Sequence, residues 1–335
     1  MRAIVLDRHA PIEQGPLRMA DVDKPRPGRG QVVVKVGAVG VCRSNLHMIE
    51  GEWPGVPPRF PMIPGHEVAG RIEEVGEGVG WLRVGDRVGA QPIWSTCGHC
   101  EYCLAGRDNL CRSKEITGET VDGGYAEYML ATAAHTYLLP DSIDDVEAAP
   151  LFCPGITAYG SVLKADLGPG KRVSVFGIGG VGHLVLQMAR LYGADVVAVS
   201  RGTTHLSLAE ELGAVRMIDA SRSDPGEELA RSGGVDASIV FAPSSASVAQ
   251  AVQGTKPGGT VVIGVNAEIG RLPFAEEKTV VGSLLGTRQQ MREVLVMAGA
   301  GKIRAVCESH PLEEAQETLA RLKRGEIRGR AVLTP

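Results

Sequence analysis

Apolar residues in the first part of the chain occur in short alternating or continuous stretches separated by glycine-rich turns. Such stretches run over 1–6, 31–36, 68–75 and 84–88, and they are rich in the β-branched residues that strands favour. Few helical patterns interrupt them up to about position 90. The pattern therefore predicts a small, mostly β barrel or sandwich.

From about residue 151 the pattern changes to an alternation of strands and helices. Strands are predicted at 171–176, 195–200, 239–241 and 261–265, and helices at 157–163, 183–192, 205–212 and 245–253. This alternation predicts a doubly wound parallel sheet over 151–284. The chain then carries helical patterns at 289–298 and 312–322 and a strand-like end at 328–333. We expect this end to return to the first domain, so that 1–150 and 285–335 form one domain and 151–284 the other.

A glycine fingerprint follows the strand at 171–176 directly and opens the helix at 183–192. A strand, a GxGxxG turn, a helix and a second strand within about thirty residues form a dinucleotide-binding unit. Gly177 would make the tight turn, Gly179 would admit the pyrophosphate, and Gly182 would allow helix and strand to pack closely, with Gly180 and Val181 between them. The alternative is a glycine-rich turn in an ordinary βαβ unit.

Four cysteines are clustered with the spacing C-x2-C-x2-C-x7-C, at Cys97, Cys100, Cys103 and Cys111. Four thiolates this close in sequence can complete a tetrahedral shell around a structural zinc ion. Cysteine-rich runs with two-residue gaps also hold iron–sulfur clusters, and disulfides are a third option. We favour structural zinc.

A second candidate metal set is spread along the chain, with Cys42 and His66 in the first part and Cys153 much later. We predict a loop between Cys42 and Glu67, because the segment contains many turn residues, namely Gly51, Pro54, Gly55, Pro57, Pro58, Pro61 and Pro64. Two thiolates and one imidazole leave a fourth position open, as catalytic zinc sites do. The alternative is that the cysteines are small buried apolar groups and His66 is a core histidine.

Composition narrows the function further. A chain of 335 residues fits two domains, and a net charge of −4 with 4% aromatic residues argues against nucleic acid as a partner. No signal peptide or membrane span is recognisable, so we expect a cytoplasmic protein without a membrane partner. Seven cysteines in a reducing compartment indicate metal ligands rather than disulfides.

Together these motifs resemble the zinc-dependent medium-chain alcohol dehydrogenases over essentially the whole chain. The matching segments are 42–47, 65–67, the four-cysteine lobe near 95–113, 153–157, the fingerprint at 177–182, 281–283 and 286–288. The resemblance implies a GroES-like β-barrel catalytic domain joined to a Rossmann coenzyme-binding domain. It also implies one catalytic and one structural zinc ion per chain, and a homodimer or homotetramer.

The resemblance also implies a role for each site residue. Cys42, His66 and Cys153 would hold the catalytic zinc, with Glu67 as an occasional ligand, and Ser44 would pass a proton from the substrate oxygen towards His47. Arg43 and Arg330 would contact the cofactor pyrophosphate, whereas Thr157, Val181 and Val265 would border the nicotinamide.

Two positions depart from the family pattern. Asn45 stands where the family usually has an acid that supports the zinc-bound histidine, so we expect a less basic His66 ligand. Ser200 stands where an acid would bind the ribose 2′-hydroxyl, and Arg201 beside it could pair with a 2′-phosphate. This second departure predicts a preference for NADP over NAD.

The sequence thus predicts an NAD(P)-dependent zinc alcohol dehydrogenase that interconverts primary or secondary alcohols with aldehydes or ketones. Trp53, Trp94 and Leu285 are the candidates for the substrate wall, with ordinary core packing as the alternative for the tryptophans. A non-catalytic, crystallin-like NADP-binding protein and a zinc-independent enone or quinone reductase are the other functions considered. The complete ligand set argues against both.

Overall fold

The computed structural model describes residues 1–53 and 59–335. These residues form two compact units, one made of Met1–Cys153, Thr287–Ala300 and Ala305–Pro335 and the other of Pro154–Gly286 and Gly301–Arg304. The predicted loop positions Pro54, Gly55, Pro57 and Pro58 lie outside the described residues. Among the helices that are described, none combines the length and apolar character needed to cross a bilayer.

The described strands are, in chain order, β1 (Arg2–Leu6), β2 (Leu17–Asp21), β3 (Gln31–Gly40), β4 (Val68–Val75), β5 (Arg87–Ala90), β6 (Ile93–Ser95), β7 (Glu115–Ile116), β8 (Tyr128–Thr132), β9 (Thr136–Leu138), β10 (Arg172–Phe176), β11 (Asp195–Ser200), β12 (Arg216–Asp219), β13 (Val235–Val240), β14 (Thr255–Ile263), β15 (Thr279–Gly282), β16 (Cys307–Pro311) and β17 (Arg330–Thr334). The α-helices are α1 (Arg43–Glu50), α2 (Glu101–Leu104), α3 (Asp145–Ala148), α4 (Pro154–Val162), α5 (Gly182–Leu191), α6 (Thr203–Glu211), α7 (Pro225–Arg231), α8 (Ser245–Gly254), α9 (Arg288–Gly299) and α10 (Ala315–Arg324). Short 3₁₀ turns occur at Ile12–Gln14, Asp108–Leu110, Ala133–His135, Ala149–Phe152, Phe274–Glu276 and Leu312–Glu314.

The first unit is built on a sheet with the strand order β16-β17-β3-β4-β5-β9, in which β8 also pairs with β3. All of these pairs are antiparallel except β16 with β17. Inward-facing residues such as Val32 and Val34 of β3 pack with Val68 and Ile72 of β4 in the core. The mostly β character of this unit is confirmed. The return of the chain end is also seen, because β17 pairs with β3.

The second unit contains a six-stranded parallel sheet with the order β12-β11-β10-β13-β14-β15. This is a doubly wound sheet, as the alternating pattern predicts. Its order reverses between β10 and β13, and sheets of this type bind ligands beyond the carboxyl ends of the strands at that reversal. The fingerprint glycines follow β10 directly.

One local prediction is wrong. Part of the predicted loop after Cys42 is the helix α1, because Leu46, Met48 and Ile49 bury an apolar face against the first unit. Gly51, with a φ of 72°, ends the helix in the left-handed conformation that glycine adopts at low cost. The many turn residues lie after the helix, and their number led to the prediction of a loop over the whole segment.

Candidate active site

Three elements of the first unit bring Cys42, His66 and Cys153 together. Cys42 is the residue before α1, His66 lies just before β4, and Cys153 follows the 3₁₀ turn Ala149–Phe152. All three are buried. Gly65, which precedes His66, has a φ of 98°, and a side chain at this position would collide with the ring of Tyr125. The backbone at Gly65 therefore requires glycine, and it fixes where the imidazole enters the site.

The geometry of this cluster suits a tetrahedral metal ion. The sulfur atoms of Cys42 and Cys153 are 3.8 Å apart, too far for a disulfide. Zinc–sulfur bonds of about 2.3 Å in a tetrahedron place two sulfurs about 3.8 Å apart. Nε2 of His66 is buried and has no hydrogen-bond partner among the described residues, and one ligand atom from each of Cys42, His66, Glu67 and Cys153 lies within 4.8 Å of the others. These residues fit zinc.

Electrostatics at the cluster favour a thiolate. The hydrogen bond from Cys153 lowers the pKa of Cys42 well below its usual value, and the same bond raises the pKa of Cys153. Burial is the largest single effect on His66 and acts to lower its pKa, but the charge and hydrogen bond of Cys42 and the charges of Glu67 and Glu119 together raise the pKa. The cluster thus favours a negative sulfur at Cys42, which would attract a cation.

Glu67 is engaged on the far side of the cluster by Arg330. Arg330 Nε donates to Glu67 Oε2 at 3.1 Å, a second bond joins Nη2 to Oε1, and both residues are buried. Burial raises the pKa of Glu67 to about 7, against the opposing effect of the Arg330 guanidinium. The resemblance implied a pyrophosphate contact for Arg330. The structure shows that its charge offsets a buried carboxylate, whose burial would otherwise be costly, and the pyrophosphate contact stays a prediction.

The four-cysteine lobe forms a second cluster. Its four sulfur atoms lie within 4.8 Å of one another, with Cys97 3.9 Å from Cys103 and 3.6 Å from Cys111. These separations match the edges of a ZnS₄ tetrahedron and exceed a disulfide bond. His99, which lies between two of the cysteines, points its Nδ1 at the Cys97 carbonyl at 2.8 Å and is exposed. The lobe therefore offers four sulfur ligands to one structural ion.

The fingerprint glycines occupy positions that match the needs of a dinucleotide. Gly177 has a φ of 92°, and a Cβ there would lie 2.8 Å from Ala242 N of the neighbouring crossover. A Cβ on Gly182 would lie 1.8 Å from the Gly177 carbonyl, whereas one on Gly179 would meet no atom within 4 Å. Gly177 and Gly182 thus permit close packing, and Gly179 leaves space in front of α5 where a pyrophosphate could approach the backbone.

Comparison with known proteins finds matches for both parts of the chain. Residues 28–141 match the alcohol dehydrogenase GroES-like domain, and residues 180–300 match the zinc-binding dehydrogenase family. An alcohol dehydrogenase of Geobacillus stearothermophilus is 40% identical, and the alignment covers 99% of each chain. The chain belongs to the zinc-binding alcohol dehydrogenase family. An alcohol dehydrogenase of a Moraxella strain is 41% identical, with 95% of each chain covered.

Solved structures of this dehydrogenase family share the whole fold. The alcohol dehydrogenase of the hyperthermophilic archaeon Aeropyrum pernix superimposes with a TM-score of 0.93 at 38% identity, over 100% of both chains. A structure described as an NAD-dependent alcohol dehydrogenase gives a TM-score of 0.91 at 30% identity, also over 100% of both chains. The combination of a GroES-like unit with a Rossmann unit is therefore confirmed.

In this dehydrogenase the second nitrogen of His66 faces Asn45, the neighbour that the family pattern implied, and also a carboxylate that the sequence did not predict. Asn45 Nδ2 lies 3.1 Å from His66 Nδ1, and the Tyr125 hydroxyl donates to Asn45 Oδ1 at 3.4 Å. The carboxylate of Glu119 lies 3.8 Å from the same His66 nitrogen, and burial raises its pKa to about 7. Glu119 is far from His66 in sequence and has no motif around it, so sequence analysis offered no signal for it.

Ser44 and His47 share the short helix α1 that begins beside Cys42. Ser44 is half-buried in the first turn, and the side chain of His47 is 31% exposed. His47 Nδ1 is in hydrogen-bond contact with Glu52, and the Trp53 ring stacks on His47 with centroids 6.2 Å apart. Trp53 thus packs on the residue proposed as the solvent end of the proton path.

The other candidates for the substrate wall are placed differently. The Trp94 indole donates to the Leu130 carbonyl at 3.1 Å and lines a cavity of about 440 Å³. Among the described residues around that cavity none is a candidate zinc ligand, which favours a packing role for Trp94. Leu285 has a φ of 46°, which is uncommon for a leucine. The Leu285 carbonyl lies so close to Gly160 of α4 that a side chain at position 160 would collide with this carbonyl.

The remaining candidate residues lie at the expected ends of their elements. Arg43 opens α1, and its Nε is buried without a hydrogen-bond partner in the described part of the chain. Thr157 is in α4, Val181 is the residue before α5, and Val265 follows β14; all three are half-buried. Ser200 ends β11 half-buried, and Arg201 after it is exposed.

Proposed function

We propose that this protein catalyses reversible hydride transfer between a primary or secondary alcohol and NAD(P), forming an aldehyde or ketone. The observation that carries the proposal is the buried set of two sulfurs and one imidazole, with a histidine nitrogen that lacks a hydrogen-bond partner among the described residues. Zinc held by three protein ligands can polarise a substrate oxygen at its fourth position. A bound nicotinamide accepts or supplies the hydride.

The side chains around this set would divide the remaining work. Cys42, His66 and Cys153 would hold the ion, and the bonds between Arg330 and Glu67 keep Glu67 an occasional rather than a permanent ligand. Ser44 would take the proton from the substrate oxygen, and His47 would deliver it towards solvent. Arg43, with its unpartnered buried Nε, is suited to the negative charge of the cofactor pyrophosphate.

The direct test is a panel of alcohols and aldehydes assayed with both cofactors, with and without a chelator. We expect chelator-sensitive turnover of at least one alcohol–aldehyde or alcohol–ketone pair. Absence of turnover together with no bound zinc would favour the non-catalytic, crystallin-like function. Reduction of enones that persists in the chelator would favour the zinc-independent reductase.

Replacing Ser44 with alanine is expected to lower kcat by about 100- to 10,000-fold, the range for loss of a group that transfers a proton. The zinc content should be unchanged, because Ser44 is not a ligand. Threonine at position 44 keeps the hydroxyl and serves as the control that should retain most of the activity. Steady-state kinetics and metal analysis of the two variants decide the matter, and full activity in the alanine variant would contradict the proposed proton path.

For the cofactor we infer a preference for NADP, supported by Ser200 at the end of β11 and the exposed Arg201. Asp219, which pairs with Ser200 in the sheet, has its carboxylate engaged by Ser221 and by Arg222 at 3.3 Å. Its charge is thereby partly offset. One solved relative, 30% identical to this chain, is described as NAD-dependent, so the other cofactor is also used in the family.

Substituting Ser200 with aspartate should reverse this preference. A carboxylate would repel a 2′-phosphate and accept a hydrogen bond from a 2′-hydroxyl. The gain or loss of one charged hydrogen bond should raise the ratio of kcat/KM with NADH to kcat/KM with NADPH by about 10- to 100-fold. The measurement is kcat/KM with NADH and with NADPH for the wild type and the variant, with Ser200→Asn as the neutral control. A wild type that prefers NADH would defeat the inference.

We also propose that the protein is a cytoplasmic homodimer or homotetramer. The edge strand β15 is followed by an exposed Leu284, and Phe274 shortly before it is 92% exposed. Exposed apolar residues beside an open sheet edge support an interface between copies. All seven cysteines are free thiols, which agrees with a reducing compartment.

A further inference from the structure

The two ring nitrogens of His66 have different neighbours, and polar side chains also surround Nδ1, the nitrogen away from the cysteines. Nδ1 faces the amide nitrogen of Asn45 at 3.1 Å and a carboxylate oxygen of Glu119 at 3.8 Å. Asn45 is fully buried and Glu119 is 6% exposed. The imidazole is therefore flanked by one neutral and one ionisable group in a site with little access to water.

Zinc binding at Nε2 determines whether Nδ1 requires a hydrogen-bond donor or an acceptor as its neighbour. A neutral imidazole that ligates through one nitrogen carries its hydrogen on the other, so Nδ1 becomes a donor. The Asn45 amide nitrogen is also a donor and cannot accept from it. Turning the amide places Oδ1 towards His66 instead, and the Tyr125 hydroxyl can accept from the displaced nitrogen as readily as it donates to the oxygen. Asn45 can thus accept this hydrogen bond, but it brings no charge.

The charge on this side comes from Glu119. The other carboxylate near His66, that of Glu67, lies 3.9 Å from Nε2 on the cysteine side and is bound by Arg330. In the part of the chain that the structure describes, His66 is the residue with which Glu119 forms an ion pair. Histidines that bind metals usually donate their free N–H to a carboxylate or carbonyl, and such partners strengthen metal binding.

The backbone holds Glu119 in place. The segment 117–125 is bonded to the residues just before His66, through Gly123 N to Ile63 O at 2.7 Å and Gly124 N to Gly65 O at 2.8 Å. A Cβ on Gly118 would come within 2.7 Å of Gly65 N, so the two backbones are in close contact. The distance between Glu119 and the imidazole is therefore set by paired backbone rather than by a free surface loop.

We propose that Glu119 is a positioning residue of the catalytic zinc site: its carboxylate supports the Nδ1–H of His66 together with the neutral Asn45. The proposal rests on the zinc-binding role of His66 given above. Helix α1 has the neutral Asn45 where the family usually has an acid. Glu119, in the segment after the four-cysteine lobe, would supply the missing negative charge. Glu119 touches neither substrate nor cofactor, and its effect reaches the reaction through His66.

The test is the zinc affinity of the variant Glu119→Gln, which keeps the shape and removes the charge. We expect zinc at the Cys42 site to bind about 10- to 100-fold more weakly in chelator competition, the usual cost of losing such a partner. Zinc in the four-cysteine lobe should stay bound. Glu115→Gln is the matched control, because Glu115 lies four residues earlier and bonds to Ser95 instead of His66. Its zinc affinity should equal that of the wild type.

The double variant Asn45→Asp with Glu119→Gln moves the carboxylate to the other neighbour of Nδ1. We expect it to regain most of the lost zinc affinity, and the absorption spectrum of the cobalt-substituted protein to return towards that of the wild type. A purely structural role for Glu119 would not be rescued in this way. If Glu119→Gln does not fold, retention of zinc by the double variant supports the proposal, and failure of the double variant to fold or to retain zinc overturns it.

Two failures remain distinguishable. If the wild type binds zinc at both clusters and Glu119→Gln binds it equally well, this proposal is overturned and the proposed function stands. If the wild type binds no zinc at Cys42, His66 and Cys153, the proposed function itself fails.

Discussion

Replacing Cys153 with serine is expected to remove one of the two zinc ions proposed for the chain and almost all dehydrogenase activity. The serine hydroxyl is a poor zinc ligand, and the remaining sulfur and imidazole cannot hold the ion against a chelator. A metal ion that polarises the substrate oxygen lowers the barrier by several kcal/mol, so its loss should reduce kcat/KM by about 1,000-fold or more. Metal analysis and steady-state kinetics on the same preparation measure both effects.

The matched control for this variant is Cys307→Ser. Cys307 is the one cysteine of the seven that belongs to neither cluster, and its sulfur donates to the Val146 carbonyl at 3.5 Å. A serine hydroxyl can make the same bond, so zinc content and activity should not change. Two zinc ions and full activity in Cys153→Ser would show that the buried cluster is not the catalytic metal site.

Replacing Cys111 with serine is expected to empty the four-cysteine lobe and to destabilise the first unit. The lobe has little structure of its own, since α2 is four residues long and buries no side chain, and Cys111 is the buried member of the ligand set. A structural zinc ion would therefore supply most of its order, and apparent zinc affinities in small zinc domains reach about 10–16 kcal/mol. Each kcal/mol lost should lower the melting temperature by about 2–4 °C in a unit of this size.

Limited proteolysis of Cys111→Ser can show that the lobe is the part that unfolds. Leu104 in the lobe is already 76% exposed, so we expect the first cleavage there. His99→Gln is the control, as His99 lies among the cysteines but is bonded to a backbone carbonyl. It should keep both zinc ions and the wild-type melting temperature. If Cys111→Ser melts at the wild-type temperature and retains two zinc ions, the structural role of the lobe is wrong.

The variants Cys153→Ser and Cys111→Ser should differ in whether activity or folding is lost first. Loss of Cys153 affects a site inside a packed core, where the apolar contacts of β3 and β4 continue to hold the unit together. We therefore expect an inactive but folded protein. Loss of Cys111 removes the ion from a segment without a core, so folding of that segment should suffer first. Measuring zinc, activity and melting temperature in both variants separates catalytic from structural metal.

Local spacing explains why much of this protein was predictable. The glycines from Gly177 to Gly182 stand directly between a strand and a helix, and the four cysteines lie within fifteen residues of one another. The physical requirement in each case is short-range: a tight turn, a close approach, or four ligands around one ion. Helix α1 was missed because the turn residues after it masked an eight-residue helix whose stability comes from burying Leu46 and Ile49.

The amino-acid sequence by itself determined the fold class, the glycine turn after β10 and the two sets of candidate zinc ligands, the distant one with the help of a family resemblance. Only the tertiary structure decided that Arg330 pairs with Glu67 and that Glu119 lies beside His66. Both contacts join residues more than fifty positions apart, and they exist because buried charges need partners that folding alone brings within reach. No local pattern encodes such a pair, since its position depends on how the sheets and loops of the whole unit pack.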